Sequence, residues 1–390
     1  GGAWPAKWNG SQFCSEPTIN IVHHDFLKPV GTSYLATREK EEEFIGSRDL
    51  WFRPIHTRVG PDGALYIIDF YNQAVVHNDT RGTPHGANNA AVRPDRDHYF
   101  GRIWRVQYKE AKELAVPNLA QAARAELVKA LEHPNMWVRM TAQRLLGERA
   151  EITEAELLSE NEPLRQLAQN KQAPPYARLH ALWTRRQVAA SWAAGKLPDP
   201  TGTFLAADLE RAFHDSSAAV RKAAFQIVSE DGLQVKEARK FKDGALAGLK
   251  DSDSRVRLKA ILALGAISQP LIAGEPKQRL SSADAEQISQ ALVGIYPDLH
   301  DPWMESAVVG VAAQAPEDFI KAALVSSDPA ALQSLVRQLS SQIALKAEPA
   351  RASELVIALS SAPASTDALK QIVLENLARA RNTANPDWTP

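Results

Sequence analysis

A short phrase, Val or Ala followed by Arg, recurs at regular intervals in the later part of the chain and limits its possible folds. Its arginines, Arg139, Arg178, Arg221 and Arg257, lie 39, 43 and 36 residues apart, and each precedes an Ala-rich apolar stretch. A period of about 40 residues with two helices per unit is typical of a HEAT-like α-solenoid. We predict helix pairs at residues 119–149, 154–194, 203–231, 236–268, 282–315, 316–343 and 351–382.

Aspartates mark the turn before the second helix of several predicted pairs. Asp215 and Asp251 each lie five residues ahead of the valine of the phrase, and Asp301-Pro302 and Asp328-Pro329 begin weaker copies. Aspartate is a preferred helix cap, and proline is tolerated in the first helical turn. Because the repeated arginines occupy one position of each unit, we expect them to form a stacked ladder that bonds neighbouring loops.

The chain before Tyr108 has the pattern of β-structure. From Ser11 onward it is rich in aromatic and β-branched residues, broken by turn signals. In Pro61-Asp62-Gly63 the proline presets φ, the aspartate can bond its own backbone and the glycine supplies a positive φ, which predicts a hairpin. The returning strand would be Leu65–Tyr71, whose apolar run predicts burial on both faces.

Residues 49–106 have the pattern of one β-propeller blade. A blade needs neighbours, and propellers close about four to eight blades into a ring. Only about two blades fit before the helices begin. The predicted fold class is therefore α+β and multidomain, with a partial β-propeller of about two blades at 1–110, HEAT-like helical repeats at 117–384 and the start of a linker at 385–390.

Composition and termini exclude several kinds of function. The 45 basic and 46 acidic residues remove the electrostatic attraction that nucleic acids and anionic membranes require. No apolar run reaches the length of a membrane span, and Gly1-Gly-Ala-Trp4 lacks the features of a secretory signal, so we expect a processed chain or a missing N-terminus. Cys14 is the only cysteine, which excludes an intrachain disulfide, a C-x-x-C-H haem attachment and a cysteine-rich zinc site in this chain.

Six phrases of the first 110 residues carry a resemblance to a known family. They are Gly1-Gly-Ala-Trp-Pro5, Glu16-Pro-Thr-Ile-Asn-Ile-Val22, Asp49-Leu-Trp-Phe-Arg-Pro54, Gly60-Pro-Asp-Gly-Ala-Leu-Tyr-Ile-Ile-Asp-Phe-Tyr-Asn72, Pro94-Asp-Arg-Asp-His98 and Gly101-Arg-Ile-Trp-Arg-Val106. In them the chain resembles the PVC-type haem-binding, membrane-bound dehydrogenase-like proteins. The stretch from Asp49 to Val106 is the specific part, since G-P-D-G-x-L-Y alone indicates only a propeller.

The resemblance implies a larger redox protein. Members resemble a six-bladed quinoprotein sugar-dehydrogenase propeller, followed by HEAT repeats and a cytochrome c domain with C-x-x-C-H. This chain matches the end of the propeller and the repeats, but most blades and the haem-binding cysteine pair are absent from it. By analogy the resemblance implies haem c on a missing domain, pyrroloquinoline quinone (PQQ) or calcium as further cofactors, and an extracytoplasmic, periplasmic location.

Polar residues around the predicted inner strand are candidates for cofactor binding. Asp69, Asn72 and His77 follow the strand and could lie at a propeller mouth, where Asp69 and Asn72 could also ligate a metal ion such as Ca²⁺. The alternative is that Asp69 and Asn72 bond turn amides. Arg53 precedes the hairpin and would suit a carboxylate or a cofactor anion.

Four further residues, His56, Arg58, His85 and His98, are candidates for catalysis. His56 and Arg58 flank the strand before the turn. His85 and His98 belong to a long polar loop after the inner strand, and loops of that length are usually functional or disordered. The charges of this loop alternate in sign, so its alternative role is to bond the loop to the sheet.

The triplet His23-His24-Asp25 resembles a set of metal ligands. Successive side chains of a strand point to opposite faces, so His23 and His24 could not bind one ion. We therefore interpret the triplet as a partly exposed strand end.

The leading hypothesis is that the chain is the propeller and solenoid part of a quinone- or haem-linked dehydrogenase acting on a sugar or other alcohol. The solenoid would be a docking or spacer element, and whether the chain alone is an enzyme stays open. Expected partners are the rest of the propeller, on this or another chain, and a cytochrome or other protein on the repeats. The alternatives are a non-enzymatic HEAT-repeat scaffold and a Ca-dependent propeller lactonase. No nucleophile elbow, phosphate loop or H-E-x-x-H motif occurs.

Overall fold

In a computed structural model the chain forms two compact units, Gly1–Leu167 and Ala168–Pro390. The first unit contains two small antiparallel sheets followed by helices, and the described part of the second unit is helical. The structure describes residues 1–73, 75, 99–149, 154–193, 201–230, 239–269, 280–346 and 349–383.

The first sheet is built around its second strand. Its strands are β1 (Ser11–Glu16), β2 (Ile21–Val30), β3 (Ser33–Thr37) and β4 (Ile45–Gly46). β2 pairs antiparallel with β1 along one edge and with β3 and β4 along the other. Gly31, with φ of 57°, supplies the left-handed conformation that the short connection between β2 and β3 requires.

The second sheet contains the predicted hairpin. Its strands are β5 (Pro54–Val59), β6 (Leu65–Asp69) and β7 (Arg102–Val106), with β6 in the centre. Gly63 has φ of 78°, and the carboxylate of Asp62 accepts the N–H of Ala64 at 3.1 Å. The turn chemistry predicted for these residues is therefore confirmed.

Among the described residues the returning strand is buried on one face only, and not on both as predicted. Leu65, Ile67 and Asp69 are buried, whereas Ile68 between them is 42% exposed. The strand alternates because one face of the sheet packs against the core and the described residues leave most of the other face uncovered.

A small apolar core joins the two sheets. Val22 of β2 packs with Phe52, Leu65 and Ile67, and β1 lies against β5. The described residues form two sheets and no ring, so the propeller remains a prediction.

The helices follow in pairs. Their bounds are α1 (Arg124–Ala130), α2 (Met136–Glu148), α3 (Glu154–Gln169), α4 (Pro175–Ala193), α5 (Thr201–Ala212), α6 (Ala218–Glu230), α7 (Lys242–Gly248), α8 (Ser254–Ser268), α9 (Ser282–Ile295), α10 (Pro302–Ala312), α11 (Pro316–Leu324), α12 (Gln333–Lys346), α13 (Pro349–Ser361) and α14 (Asp367–Thr383). Each of the predicted pairs corresponds to two of these helices, with ends that differ by a few residues.

The second unit is a helical repeat in which equivalent helices stack. The second helix of each pair packs on that of the next, in the order α4, α6, α8, α10, α12 and α14. A continuous apolar core runs from Leu182 to Val373. Each pair therefore buries its apolar face against its neighbours, as repeat architectures require.

The predicted arginine ladder is confirmed at two steps of this repeat. Arg178 donates from Nε and Nη2 to the carboxylate of Asp215 at 2.9 and 2.7 Å. Arg221 does the same to Asp251 at 2.6 and 2.8 Å, and these hydrogen bonds raise the pKa of Arg221 above its usual value. Arg257 instead donates to carbonyl groups of the turn before its own helix.

In the first unit, Asn135 connects the second sheet to α2. Its Oδ1 accepts the N–H of Trp137 at 2.8 Å and so caps the helix. Its Nδ2 donates to the carbonyl oxygens of Gly60 and Pro61, both at 2.8 Å, and the residue is fully buried. One side chain thus satisfies a helix end and a hairpin turn.

Asn135→Ala is expected to lower the free energy of unfolding by about 2–3 kcal/mol, because it removes a helix cap and the two hydrogen bonds that Nδ2 donates to the hairpin turn. Urea unfolding followed by circular dichroism measures the loss. Asn135→Ser keeps a capping oxygen and is expected to recover about 1 kcal/mol of it. Equal losses for both variants would contradict the capping role.

Candidate functional site

Asp69 ends β6 and is the most buried of the candidate residues that the structure describes, with 1% of its surface exposed. Its Oδ1 accepts the backbone N–H groups of Arg53 and Tyr71 at 2.7 and 2.9 Å, and its Oδ2 accepts the indole N–H of Trp104 at 2.9 Å. These donors use most of the lone pairs that a metal ion would need. The carboxylate therefore fits the turn-bonding role better than calcium ligation.

Arg53 is buried beside Asp69 and bonds backbone carbonyl groups. Its Nε donates to Asn72, its Nη1 to Pro17 and Thr18, and its Nη2 to Gln73, at 2.9–3.2 Å. These bonds hold three chain segments together and engage each guanidinium nitrogen. An anion would have to displace them to bind Arg53.

Asn72 lies within the same network and is 2% exposed. Its backbone N–H donates to the carbonyl oxygen of Trp51 at 3.0 Å, and its own carbonyl oxygen accepts from Arg53. The structure thus brings Arg53, Asp69 and Asn72 together at the end of β6.

His56 and Arg58 lie on the other face of the second sheet. They pair with Ile68 and Tyr66 of β6, and cross-strand partners share a face. Arg58 Nε donates to His56 Nε2 at 3.2 Å, and both side chains are exposed to solvent. The structure therefore does not bring these two candidates to Asp69. The remaining candidates, His77, His85 and His98, lie outside the described residues.

Arg102 is a residue that the sequence analysis missed. Its guanidinium carbon lies 3.3 Å from the centre of the Tyr71 ring, and its Nη1 is 3.7 Å from Asp49. Arg102 pairs with Asp69 across β6 and β7, so it belongs to the same end of the sheet. Both Arg102 and Arg105 belong to the phrase Gly101-Arg-Ile-Trp-Arg105. Only the strand register shows that Arg102 is the one beside Asp69.

The outer face of the second sheet is open among the described residues and carries exposed isoleucines beside charged side chains. Ile68 lies directly across from Ile103, which is 72% exposed, and His56, Arg58 and Arg105 lie on the same face. A cluster of large exposed apolar side chains on a sheet marks a surface that another element covers. Both outer strands, β5 and β7, pair only with β6 among the described residues.

No three His, Cys, Asp or Glu side chains of the described residues are grouped so that they could hold a metal ion. Cys14 is free and exposed on β1. None of the described helices combines the length and apolar composition needed to cross a membrane.

His23 and His24 occupy opposite faces of β2, as the strand pattern predicted. His23 contacts Glu43 through Nδ1 at 2.7 Å and Asp25 through Nε2 at 2.9 Å, and the hydrogen bond to Glu43 together with that to Asp25 raises the pKa of His23. His24 lies among aromatic rings, 4.6 Å from Phe26 by ring centres, and burial lowers its pKa. The two neighbours therefore favour opposite protonation states.

The stabilising effect of His23 should depend on pH. Because the folded protein raises its pKa, its contribution is complete below the ordinary value near 6.5 and is lost as pH rises through the folded value. We expect His23→Gln to cost about 0.5–1 kcal/mol at pH 6 and little at pH 9, as measured by urea unfolding. His24→Gln is the control, since its pKa is lowered and its pH dependence has the opposite sign. A loss at His23 that is constant with pH would contradict the prediction.

Comparisons with known proteins give one family match, to the first part of the chain, and similarities to solved structures. Residues 1–110 match the profile of a domain of unknown function (DUF7133). The comparison with curated proteins gives no match. Among solved structures, the chain is similar to a designed armadillo repeat protein in complex with the peptide (KR)4, at 16% identity and a TM-score of 0.33, covering 66% of this chain and 100% of that one. It is also similar to the complex of CpcE and CpcF of phycocyanin lyase from Nostoc sp. PCC7120, at 16% identity and a TM-score of 0.30, covering 70% of this chain and 97% of that one.

Proposed function

We propose that the chain is the sheet and repeat part of a quinone- or haem-linked dehydrogenase that oxidises a sugar or other alcohol. The activity comes from the resemblance carried by residues 49–106. The structural observation that supports it is the open outer face of the second sheet, where Ile68 and Ile103 are exposed side by side. On this proposal further blades of a propeller, from this or another chain, cover that face.

The repeats are proposed to dock a protein partner such as a cytochrome. Stacked helix pairs present an extended surface built from one position of each repeat. The bonds from Arg178 to Asp215 and from Arg221 to Asp251 fix the loops at one edge of that surface. By the same resemblance we propose an extracytoplasmic location.

The chemistry would require a base and a hydride acceptor. A base would take the proton of the substrate hydroxyl group while hydride passes to the acceptor from the carbon that bears this hydroxyl group. The protein would position the reacting groups. Haem c does not fit this chain, which has one cysteine and no C-x-x-C-H. Calcium does not fit Asp69, whose oxygens accept three N–H groups. We therefore assign neither group to the described residues.

The test is dye reduction by the natural full-length protein, compared with the 390-residue chain alone. We expect the full-length protein to reduce an artificial electron acceptor with a sugar or alcohol when quinone and Ca²⁺ are present. We expect the isolated chain to be inactive. A full-length protein that reduces no acceptor with any sugar or alcohol would overturn the dehydrogenase proposal.

A non-enzymatic scaffold is the second candidate, and the engagement of Arg53 and Asp69 in backbone bonds favours it. In that case the repeats would bind their partner and the full-length protein would lack redox activity. Metal analysis of the same preparation separates the Ca-dependent lactonase, which would bind Ca²⁺ tightly without a redox cofactor.

A further inference from the structure

Tyr71 is held in an unusual backbone conformation at the end of β6. Its φ is 44°, a left-handed value that non-glycine residues rarely adopt. The carboxylate of Asp69 accepts its N–H at 2.9 Å, and its ring lies 5.4 Å from that of Trp51 and 6.5 Å from that of Phe100. Backbone strain of this kind persists where the surroundings fix it, and it is common at binding sites.

Arg102 lies over this ring, and none of the described residues accepts a hydrogen bond from its guanidinium. Its guanidinium carbon is 3.3 Å from the Tyr71 ring centre, and the side chain is 38% exposed. Within the described part of the chain its one polar contact is Asp49, at 3.7 Å, which exceeds hydrogen-bond distance. The ring contact therefore holds the guanidinium in place, and the described residues leave its N–H groups without an acceptor.

The contrast with Arg53 identifies which arginine can bind a ligand. Arg53 is buried, and its three guanidinium nitrogens donate to backbone carbonyl groups. Arg102 is partly exposed and makes no such bonds to the residues that the structure describes. The role that the sequence analysis gave to Arg53 therefore suits Arg102 better.

We propose that Arg102 binds the carboxylate of a ring-containing ligand at this end of the second sheet. A planar guanidinium matches a carboxylate in two parallel hydrogen bonds. Asp49 lies close enough to offset part of its charge, which favours a singly charged carboxylate over a doubly charged phosphate. The exposed ring of Phe100 offers an apolar face to the ring of the ligand.

Given the proposed function, the ring-containing carboxylate is a sugar acid. This assignment rests on the proposed function, and it narrows the substrate from sugars in general to those that carry a carboxylate. Arg102 would bind and orient the substrate and would take no part in the proton or hydride transfer.

The test is equilibrium binding of glucuronate to the full chain by titration calorimetry, without turnover. Acetate, glucose and glucose 6-phosphate test the charge alone, the ring alone and a phosphate in place of the carboxylate. We expect glucuronate to bind at least tenfold more tightly than each of them. Arg102→Gln should weaken glucuronate binding by tenfold or more, and Arg102→Lys, which keeps the charge but loses the planar fork, by severalfold.

Arg105→Gln is the matched control. Arg105 lies on the same strand with its side chain on the opposite face, bonded to Asp62 at 2.8 Å, so its loss should leave glucuronate binding unchanged. The proposal is overturned if glucuronate does not bind, if Arg102→Gln binds it like the wild type, or if glucose 6-phosphate binds more tightly. Because binding is measured without oxidation, glucuronate binding by a protein with no redox activity would refute the dehydrogenase and retain Arg102 as the carboxylate-binding residue.

Discussion

Asp69→Asn is expected to lower the free energy of unfolding by about 3 kcal/mol, although it replaces one oxygen by nitrogen. One side-chain oxygen can still accept the N–H groups of Arg53 and Tyr71. The new amide NH₂ group then faces the indole N–H of Trp104, so two donors meet where a donor met an acceptor. Urea unfolding monitored by tryptophan fluorescence measures the loss.

A double-mutant cycle separates this explanation from a general loss of packing. Trp104→Phe removes the opposing donor, so the combined variant should be about 1–2 kcal/mol more stable than the sum of the two single losses predicts. Asp62→Asn is the control at a more exposed carboxylate and should cost less. An Asp69→Asn protein as stable as the wild type, or one whose loss adds independently to that of Trp104→Phe, would contradict the bonding that we describe.

Asp69 illustrates how far the sequence could predict this region. The strand, the turn before it and the two possible roles of Asp69 follow from local patterns, because turn chemistry acts over four or five residues. The hydrogen bonds of Arg53 could not be predicted from local patterns, because its partners, the carbonyl groups of Pro17 and Thr18, lie 36 and 35 residues away in the sequence. No short-range signal reports such a contact.

The open face of the second sheet was mispredicted for a related reason. A continuous apolar run such as Leu65–Ile68 fits a strand buried on both sides, and it also fits a strand with one face left for a partner. The sequence pattern shows which faces of the strand carry apolar side chains. Whether each of those faces is buried depends on elements elsewhere in the fold.

The helical repeat was predictable because its period is written in the sequence. Arg178 and Arg221 recur with aspartates in the following repeat, and the structure pairs them accordingly. The most buried ion pair of the repeat, Arg185 with Asp208, carries no periodic signal and was not predicted.

The Arg185–Asp208 ion pair, together with Gln169, connects three helices in the interior of the second unit. Arg185 on α4 donates from Nε to Asp208 Oδ2 on α5 at 2.6 Å, and Gln169 at the end of α3 donates to Asp208 Oδ1 at 2.8 Å. The side chains of Arg185 and Asp208 are 0% and 1% exposed. A charge left alone in such a place has no water to stabilise it.

Asp208→Ala should therefore lower the free energy of unfolding by about 3–5 kcal/mol, the largest loss that we predict, because it removes the carboxylate that the buried Arg185 guanidinium contacts. Urea unfolding followed by circular dichroism at 222 nm measures it. Glu148→Ala, which breaks a pair with Arg144 on the surface, should cost no more than about 0.5 kcal/mol. Arg185→Met combined with Asp208→Leu removes both charges and should recover most of the loss. If the double replacement is as unstable as Asp208→Ala, lost packing rather than the unpaired charge explains the effect.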